Sequence, residues 1–286
     1  MVAREPVVAG QFYEGEKESL QRQVKECFSH KLGPGMPKDQ GNQGNLPMGI
    51  ISPHAGFMFS GPCAAHSFAR LKTGKQSPLF FIIGLSHRGG PSAFSAEDWQ
   101  TPLGIAKNDV GLTRKLSETT GIKINEQVHA PEHSLEVQLP FLQYLYDEFT
   151  FVPLIISPDK SYKAMAQKCS TILSEIKRPW SIVVSSDFTH YGFNYGYVPF
   201  LNNVKENMKK LDGQALSHIE SLDSEGFLKC VEVKKMTICG NYPIAFSLAL
   251  AKRLGAAKAS TLCYYTSGDM LNDYANAVGY ASVVFE

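Results

Sequence analysis

Three short apolar runs organise this chain. Gly49-Ile50-Ile51-Ser52, Leu79-Phe80-Phe81-Ile82-Ile83-Gly84 and Ser181-Ile182-Val183-Val184-Ser185 are rich in β-branched and aromatic side chains and show no polar alternation. Runs of that kind predict strands covered on both faces of a sheet. Further strands are predicted over 151–156, 260–266 and 277–285. Between them the apolar spacing becomes helical. Leu20, Val24 and Cys27-Phe28 share one face of a helix over 16–30, and similar patterns cover 110–120, 134–146, 161–177, 198–219, 224–233 and 244–254. Pro62 suits the first turn of a helix reaching about Leu71. Residues 91–106 read as irregular with one short strand, and the Gly- and Pro-rich stretch 31–47 as a surface loop. Strand and helix alternate to the end, without a repeat or a shift in composition. One α/β domain over residues 1–286 is expected, a three-layer sandwich with helices on both sides of a largely parallel or mixed sheet.

Chemistry follows directly after each run. The first leads into Pro53-His54-Ala55-Gly56, the second into Leu85-Ser86-His87-Arg88-Gly89-Gly90, and the third into Ser186-Asp187-Phe188-Thr189-His190. Ligand crevices of open α/β sheets form outside the carboxyl ends of the strands. Parallel neighbouring strands would therefore bring three imidazoles and Asp187 into one crevice. Taken singly, Asp187 reads equally well as a turn cap and His190 as a packing histidine. His66 is assigned to packing or surface within its helix, and His218 to an exposed helix side.

A second polar concentration runs from Gln127 to Pro140 and holds His129, Glu132, His133, Ser134 and Glu136. Ser134 is a candidate cap for a helix through Tyr146, with Glu136 in its first turn. His133 would then stand at the positive end of the helix, where a neutral imidazole is favoured. His129, in predicted loop, is a weaker candidate. Cys239 precedes a helix with an early Pro243. A thiol there is expected to ionise more readily than a free one, or else to serve as a small packing residue beside Gly240. As a thiolate near two imidazoles it would complete a three-ligand set, His54, His87 and Cys239, with coordination positions left open.

Composition narrows the partners. The 28 Lys and Arg against 27 Asp and Glu give a net charge of +1, without the basic footprint of a nucleic-acid binder. The amino terminus lacks a signal-peptide core, and no apolar stretch approaches the ~20 residues of a membrane span. Six scattered cysteines without a Cys-x-x-Cys pair suit free thiols in a reducing compartment. A cytoplasmic protein taking a small molecule or peptide in its pocket, and neither nucleic acid nor membrane, is expected.

Five blocks carry a resemblance: Ser52-Pro53-His54-Ala55-Gly56, Gly84-Leu85-Ser86-His87, Glu132-His133-Ser134-Leu135-Glu136, Ser185-Ser186-Asp187-Phe188-Thr189-His190 and Thr237-Ile238-Cys239-Gly240. In that order, and over nearly the whole chain, they resemble the Memo protein family. That family is in turn similar in fold to the class III (LigB-like) extradiol ring-cleaving dioxygenases, which use non-haem iron. The resemblance implies that His54 and His87 match the two iron-ligand histidines. It implies that His190, with Asp187 beside it, matches the region of the acid/base histidine, and His133 a pocket histidine. The third dioxygenase ligand is a glutamate, whereas this chain offers Cys239. A soft sulfur in place of a hard oxygen moves the preference towards copper(I), zinc or thiolate-bound iron.

The expected cofactor is an iron or copper ion, with zinc as a further option. Four functions compete: a metal-dependent oxidoreductase, a non-catalytic peptide- or ligand-binding protein on a vestigial dioxygenase scaffold, metal-free thiol chemistry at Cys239, and a zinc hydrolase.

Overall fold

A computed structural model describes residues 3–37, 46–72 and 77–286. Its strands are β1 (Gly49–Ser52), β2 (Leu79–Gly84), β3 (Ala93–Phe94), β4 (Trp99–Thr101), β5 (Gly104–Asn108), β6 (Thr150–Ile155), β7 (Trp180–Ser185), β8 (His190–Gly192), β9 (Ala259–Thr266) and β10 (Asn276–Phe285). The helices are α1 (Lys17–Ser29), α2 (Phe57–Leu71), α3 (Val110–Thr120), α4 (Glu126–His129), α5 (Leu139–Leu145), α6 (Tyr162–Leu173), α7 (Val204–Glu220), α8 (Ser224–Lys234), α9 (Asn241–Arg253) and α10 (Ser267–Leu271).

All ten strands join one mixed sheet with the path β4-β5-β6-β2-β7-β1-β10-β8; β3 pairs with β6 and β9 with β10. Its centre, β5 through β1, is parallel, and β10 runs antiparallel to β1. The apolar runs are explained by how the sheet divides its side chains. Ile50, Phe80, Ile82 and Val183 point into one core with residues of α1, α2 and α5. Their neighbours Ile51, Phe81, Ile83, Ile182 and Val184 point into the other, with residues of α3, α6, α7, α8 and α9. Successive strand residues face opposite sides, and here both sides are covered. Each such side chain contributes roughly 1.5–3 kcal/mol through burial.

Most predicted elements appear at their predicted places. Asp109 caps α3, accepting from the Leu112 N–H at 3.0 Å. Three expectations need correction. The helix carrying Pro62 begins earlier, at Phe57, with the proline inside it. The region read as irregular holds β3, β4 and β5. Ser134 caps nothing: Glu136–Gln138 is a 3₁₀ turn leading into α5, and the Ser134 hydroxyl donates to the Leu85 carbonyl. Glu136 is fully buried and accepts from Arg4, Tyr13 and the N–H groups of Val7 and Val8. A buried carboxylate has to be paired in this way, and the pairing pins the amino-terminal segment to the 129–136 loop. The predicted 31–47 loop lies partly outside the described residues.

Candidate metal centre

Strand order decides which loops meet. β2, β7 and β1 are adjacent and parallel, in register at Ile83 with Val184 and at Ser185 with Ser52. Their carboxyl ends therefore release His87, Asp187 and His54 at one edge. Backbone bonds fix the exits. Ser186 N–H donates to Ser52 O, Phe188 N–H to Gly279 O, and His54 N–H to Asp187 Oδ1 at 2.8 Å. Cys239 comes from the loop before α9. That loop lies so close to β7 that a Cβ on Gly240 would stand 2.5 Å from the Ser186 side chain, and Gly240 N–H bonds Ser186 Oγ. Only glycine permits this approach.

The structure brings the three proposed ligands together. Donor atoms of His54, His87 and Cys239 all lie within 4.8 Å of one another, and Cys239 Sγ is 3.2 Å from His54 Nε2. Each imidazole is held by its other nitrogen. Ser185 Oγ donates to Ser134 O, so it accepts from His54 Nδ1–H at 2.9 Å. Glu132 Oε1 accepts from His87 Nδ1–H, also at 2.9 Å. In both rings Nε2 is left with its lone pair facing the crevice, the tautomer a metal needs. Burial, reinforced by the neighbouring imidazoles of His87 and His133, holds His54 well below the usual histidine range. Burial therefore favours its neutral form.

The donor set of two imidazoles and one sulfur suits a soft or borderline cation, with room for further ligands. A second grouping, His87, Glu132 and His133, also falls within 4.8 Å. Glu132, however, already accepts from His87 N and Nδ1, His133 N and Ser134 N. Burial alone would raise its pKa, but these donors hold it down to about 2. It acts as a clamp on His87.

The remaining predicted residues line the same crevice, a cavity of about 360 Å³ that also includes Phe12, Phe59, Tyr195, Leu271 and Tyr280. His133 stacks on His87 with ring centres 4.4 Å apart, and Phe12 meets its edge. His190 Nδ1 lies 2.9 Å from two carbonyls, those of Phe188 and Thr237. Carbonyls only accept, so Nδ1 carries the proton and Nε2 is free. Asp187 is buried, and that burial raises its pKa. His129 and His66 stand apart from the crevice. His129 is buried, bonded to the Ala93 carbonyl and pushed down by burial to about 4.

One electrostatic expectation reverses. Cys239 does sit at a helix start, yet burial first and the Asp187 carboxylate second push its thiol well above the usual range. The positioning roles of Glu132, Ser185 and Thr237 escape a reading of the sequence. Only Glu132 leaves a local signal there, a carboxylate directly beside His133.

A family model for Memo-like proteins matches residues 4–284. A MEMO1 family protein of Methanopyrus kandleri is 36% identical over 290 residues, covering 99% of this chain and 98% of the relative. The MEMO1 family protein of Sulfurisphaera tokodaii is 38% identical, covering 99% of each chain. That of Nitrosopumilus maritimus is 36% identical, again with 99% coverage of both.

Proposed function

The chain belongs to the Memo family, and from that premise we propose that its crevice is a mononuclear metal centre for redox or oxygenase-type chemistry. His54, His87 and Cys239 are the ligands, and iron or copper is the ion. The substrate is a small molecule or peptide admitted from the open side. The observation that carries this reading is the pair of imidazoles whose Nδ1–H groups are tied back to Ser185 and Glu132. They present two Nε2 lone pairs beside one sulfur. Such orientation of ligand rings by outer partners is typical of metal sites.

When bound, the ion would supply electron transfer and polarise an oxygen ligand. The chain's own groups would do the rest. His190, protonated on Nδ1 and basic on Nε2, can take a proton from a bound substrate and return it. A well-placed base typically contributes 10²–10⁴-fold. Asp187 fixes the His54 backbone through Oδ1 and can share a proton with the pocket through Oδ2, 3.9 Å from His54 Nε2. Phe12, Phe59, His133 and Tyr280 would grip an aromatic or apolar group and exclude water. A second reading, capture of a peptide without turnover, is favoured by the apolar rim, where Leu271 is 58% and Tyr195 45% exposed.

The test is elemental analysis after anaerobic purification, followed by competitive titration against a chelator. We expect near-stoichiometric iron or copper, and a Cu(I) affinity that falls on the order of 10³-fold (about 4 kcal/mol) in Cys239→Ala. An unchanged affinity in the folded variant would remove Cys239 from the ligand set.

A further inference from the structure

Away from the crevice, α2 and the edge strand β9 bring together two cysteines and a histidine. Cys63 is fully buried on α2, and His66 lies one turn further on, half-buried. Both side chains face Cys263 of β9, which packs against the cluster of Cys63, Tyr265 and Tyr280 and is itself part-exposed. The join between the elements is specific. Pro62 has no N–H, so the helix ladder is weakened at that turn. The Tyr265 hydroxyl enters there, accepting from Cys63 N–H at 3.0 Å and donating to the Phe59 carbonyl at 2.8 Å. β9 carries an irregularity opposite Ser282 and Val283, next to Cys263. Bulges of this kind re-aim side chains at strand edges.

The tautomer of His66 follows from its other contact. Nε2 lies 2.9 Å from the Leu32 carbonyl, which can only accept. Nδ1 therefore carries the lone pair and is the nitrogen left for the contact with Cys263. A nucleophilic thiol beside a base oriented by a third group is the arrangement that activates cysteine.

We propose that Cys263 is a hydroperoxide-reactive thiol, with His66 as its base and Cys63 as the resolving cysteine. In the first step Cys263 yields its proton to His66 Nδ1, and the thiolate sulfur attacks the outer oxygen of a hydroperoxide. An S–O bond forms, the O–O bond breaks, and the departing alkoxide or hydroxide takes the proton held by His66. Cys263 is then a sulfenic acid. In the second step the Cys63 sulfur attacks Cys263, an S–S bond replaces the S–O bond, and water leaves with the Cys63 proton. The two thiols together supply the two electrons that reduce the peroxide.

The six thiols are not equal competitors. Burial pushes Cys27 and Cys169 up to about 12, and it raises Cys63, Cys230 and Cys239 as well. Cys263 alone is shifted down, by its contacts with Cys63 and His66 against the opposing effect of burial. A buried resolving partner and a more exposed, ionised attacker are the pairing that redox-sensitive sites use.

The experiment treats the full-length protein with hydrogen peroxide and maps its tryptic peptides without reduction. Cys63 and Cys263 fall on separate peptides, after Lys38 and after Lys258, so a crosslink is unambiguous. We expect a Cys63–Cys263 linked pair to dominate. In Cys63→Ser, dimedone should trap a sulfenic acid at Cys263. In His66→Gln the rate of Cys263 oxidation at pH 7 should fall about 10-fold. Should Cys63→Ser fail to fold, the wild-type peptide map and the His66→Gln rate still decide the matter. Oxidation that appears first at Cys239, Cys230 or Cys27, with Cys63 and Cys263 left unlinked in folded wild type, would overturn the assignment.

Discussion

Two cysteine–histidine pairs occupy this molecule and are tuned in opposite directions. Cys239 meets His54 Nε2 in the crevice; Cys263 meets His66 on the edge strand. The first thiol sits at a helix start, where the dipole should favour a thiolate, yet it is pushed up. The second sits on a strand with no dipole to help, yet it is pushed down. What differs is the company. Cys239 is buried against the Asp187 carboxylate, whose negative charge opposes a second one. Cys263 is partly open to solvent and is contacted by a thiol able to donate to it and by an imidazole able to take up its proton. Burial and adjacent charge act over a few ångströms and outweigh a helix end. A thiol held protonated until a cation displaces its proton is suited to a ligand site. A thiol ionised without a metal is suited to nucleophilic attack.

One buried residue is bonded to a chain neighbour of each region, and it gives the largest expected effect on stability. Asp212 of α7 accepts at 2.5 Å from Oγ1 of Thr189, the residue before His190, and at 2.8 Å from the hydroxyl of Tyr264, the residue after Cys263. Its carboxylate fills the space where a Cβ on Gly279 would stand. Burial pushes it up to about 6. In the unfolded chain it ionises near pH 4, so from pH 4 to 7 the unfolded state releases this proton first. Stability contributed by the neutral folded form is therefore present below pH 4 and lost as the pH rises through 6, by about 3 kcal/mol. Asp212→Asn keeps an acceptor for Thr189 and should flatten that part of the profile, as measured by urea denaturation at pH 4, 5.5 and 7. If the two regions are independent, the thiol reactivities stay as they were. A changed Cys263 rate would show that they are coupled.

The opposed tuning can be read out directly. In metal-free protein at pH 7, iodoacetamide should modify Cys263 at least about 30-fold faster than Cys239, because only the thiolate reacts. The pH dependence sharpens the contrast. Between pH 7 and 9 the Cys239 rate should climb about tenfold per pH unit, while the Cys263 rate should already be level. Equal rates, or the reverse order, would mean that the contacts around the two sulfurs do not set their acidity.

What the sequence makes legible and what it hides divide along the same line. The runs Ile50-Ile51, Phe80-Phe81-Ile82-Ile83 and Ile182-Val183-Val184 announce the central strands because burial on both faces leaves an uninterrupted apolar signal. The groups placed past their ends are legible for the same reason, since strand adjacency brings them together. Contacts between distant segments leave no such mark. Nothing near Pro62 indicates that Tyr265, about 200 residues away, bridges the helix there, and so the local pattern puts the start of α2 too late. Ser134 looks like a helix cap because its local spacing is right; its hydroxyl donates to the distant Leu85 carbonyl and its N–H to the Glu132 carboxylate instead. The acidity of Cys239 is misread because the helix end is visible in the sequence whereas Asp187, 52 residues away, is not.

The smallest predicted effect tests whether the crevice is tuned by its outer partners as the edge-strand pair is tuned by His66. Ser185 Oγ donates to Ser134 O at 2.6 Å and accepts from Gln138 Nε2 at 3.0 Å and His54 Nδ1–H at 2.9 Å. Ser185→Ala removes the one acceptor that fixes the His54 ring. The buried Nδ1–H is then left without a partner, which costs roughly 1–3 kcal/mol of stability. His54 can respond by exchanging tautomers, placing the proton on Nε2 and turning a crevice-facing lone pair into a donor. Loss of an outer-shell partner lowers metal affinity by roughly 10–100-fold. We expect the lower end, about 10-fold, because Cys239 and His87 keep their positions and Gln138 still donates to the Pro53 carbonyl at 3.0 Å. Competitive titration of wild type and variant under anaerobic conditions measures it. Thermal denaturation of the metal-free proteins separates the stability cost from the affinity loss. An affinity unchanged within twofold, in a variant destabilised as expected, would leave His54 as a buried structural base and move the metal-binding role onto His87 and Cys239 alone.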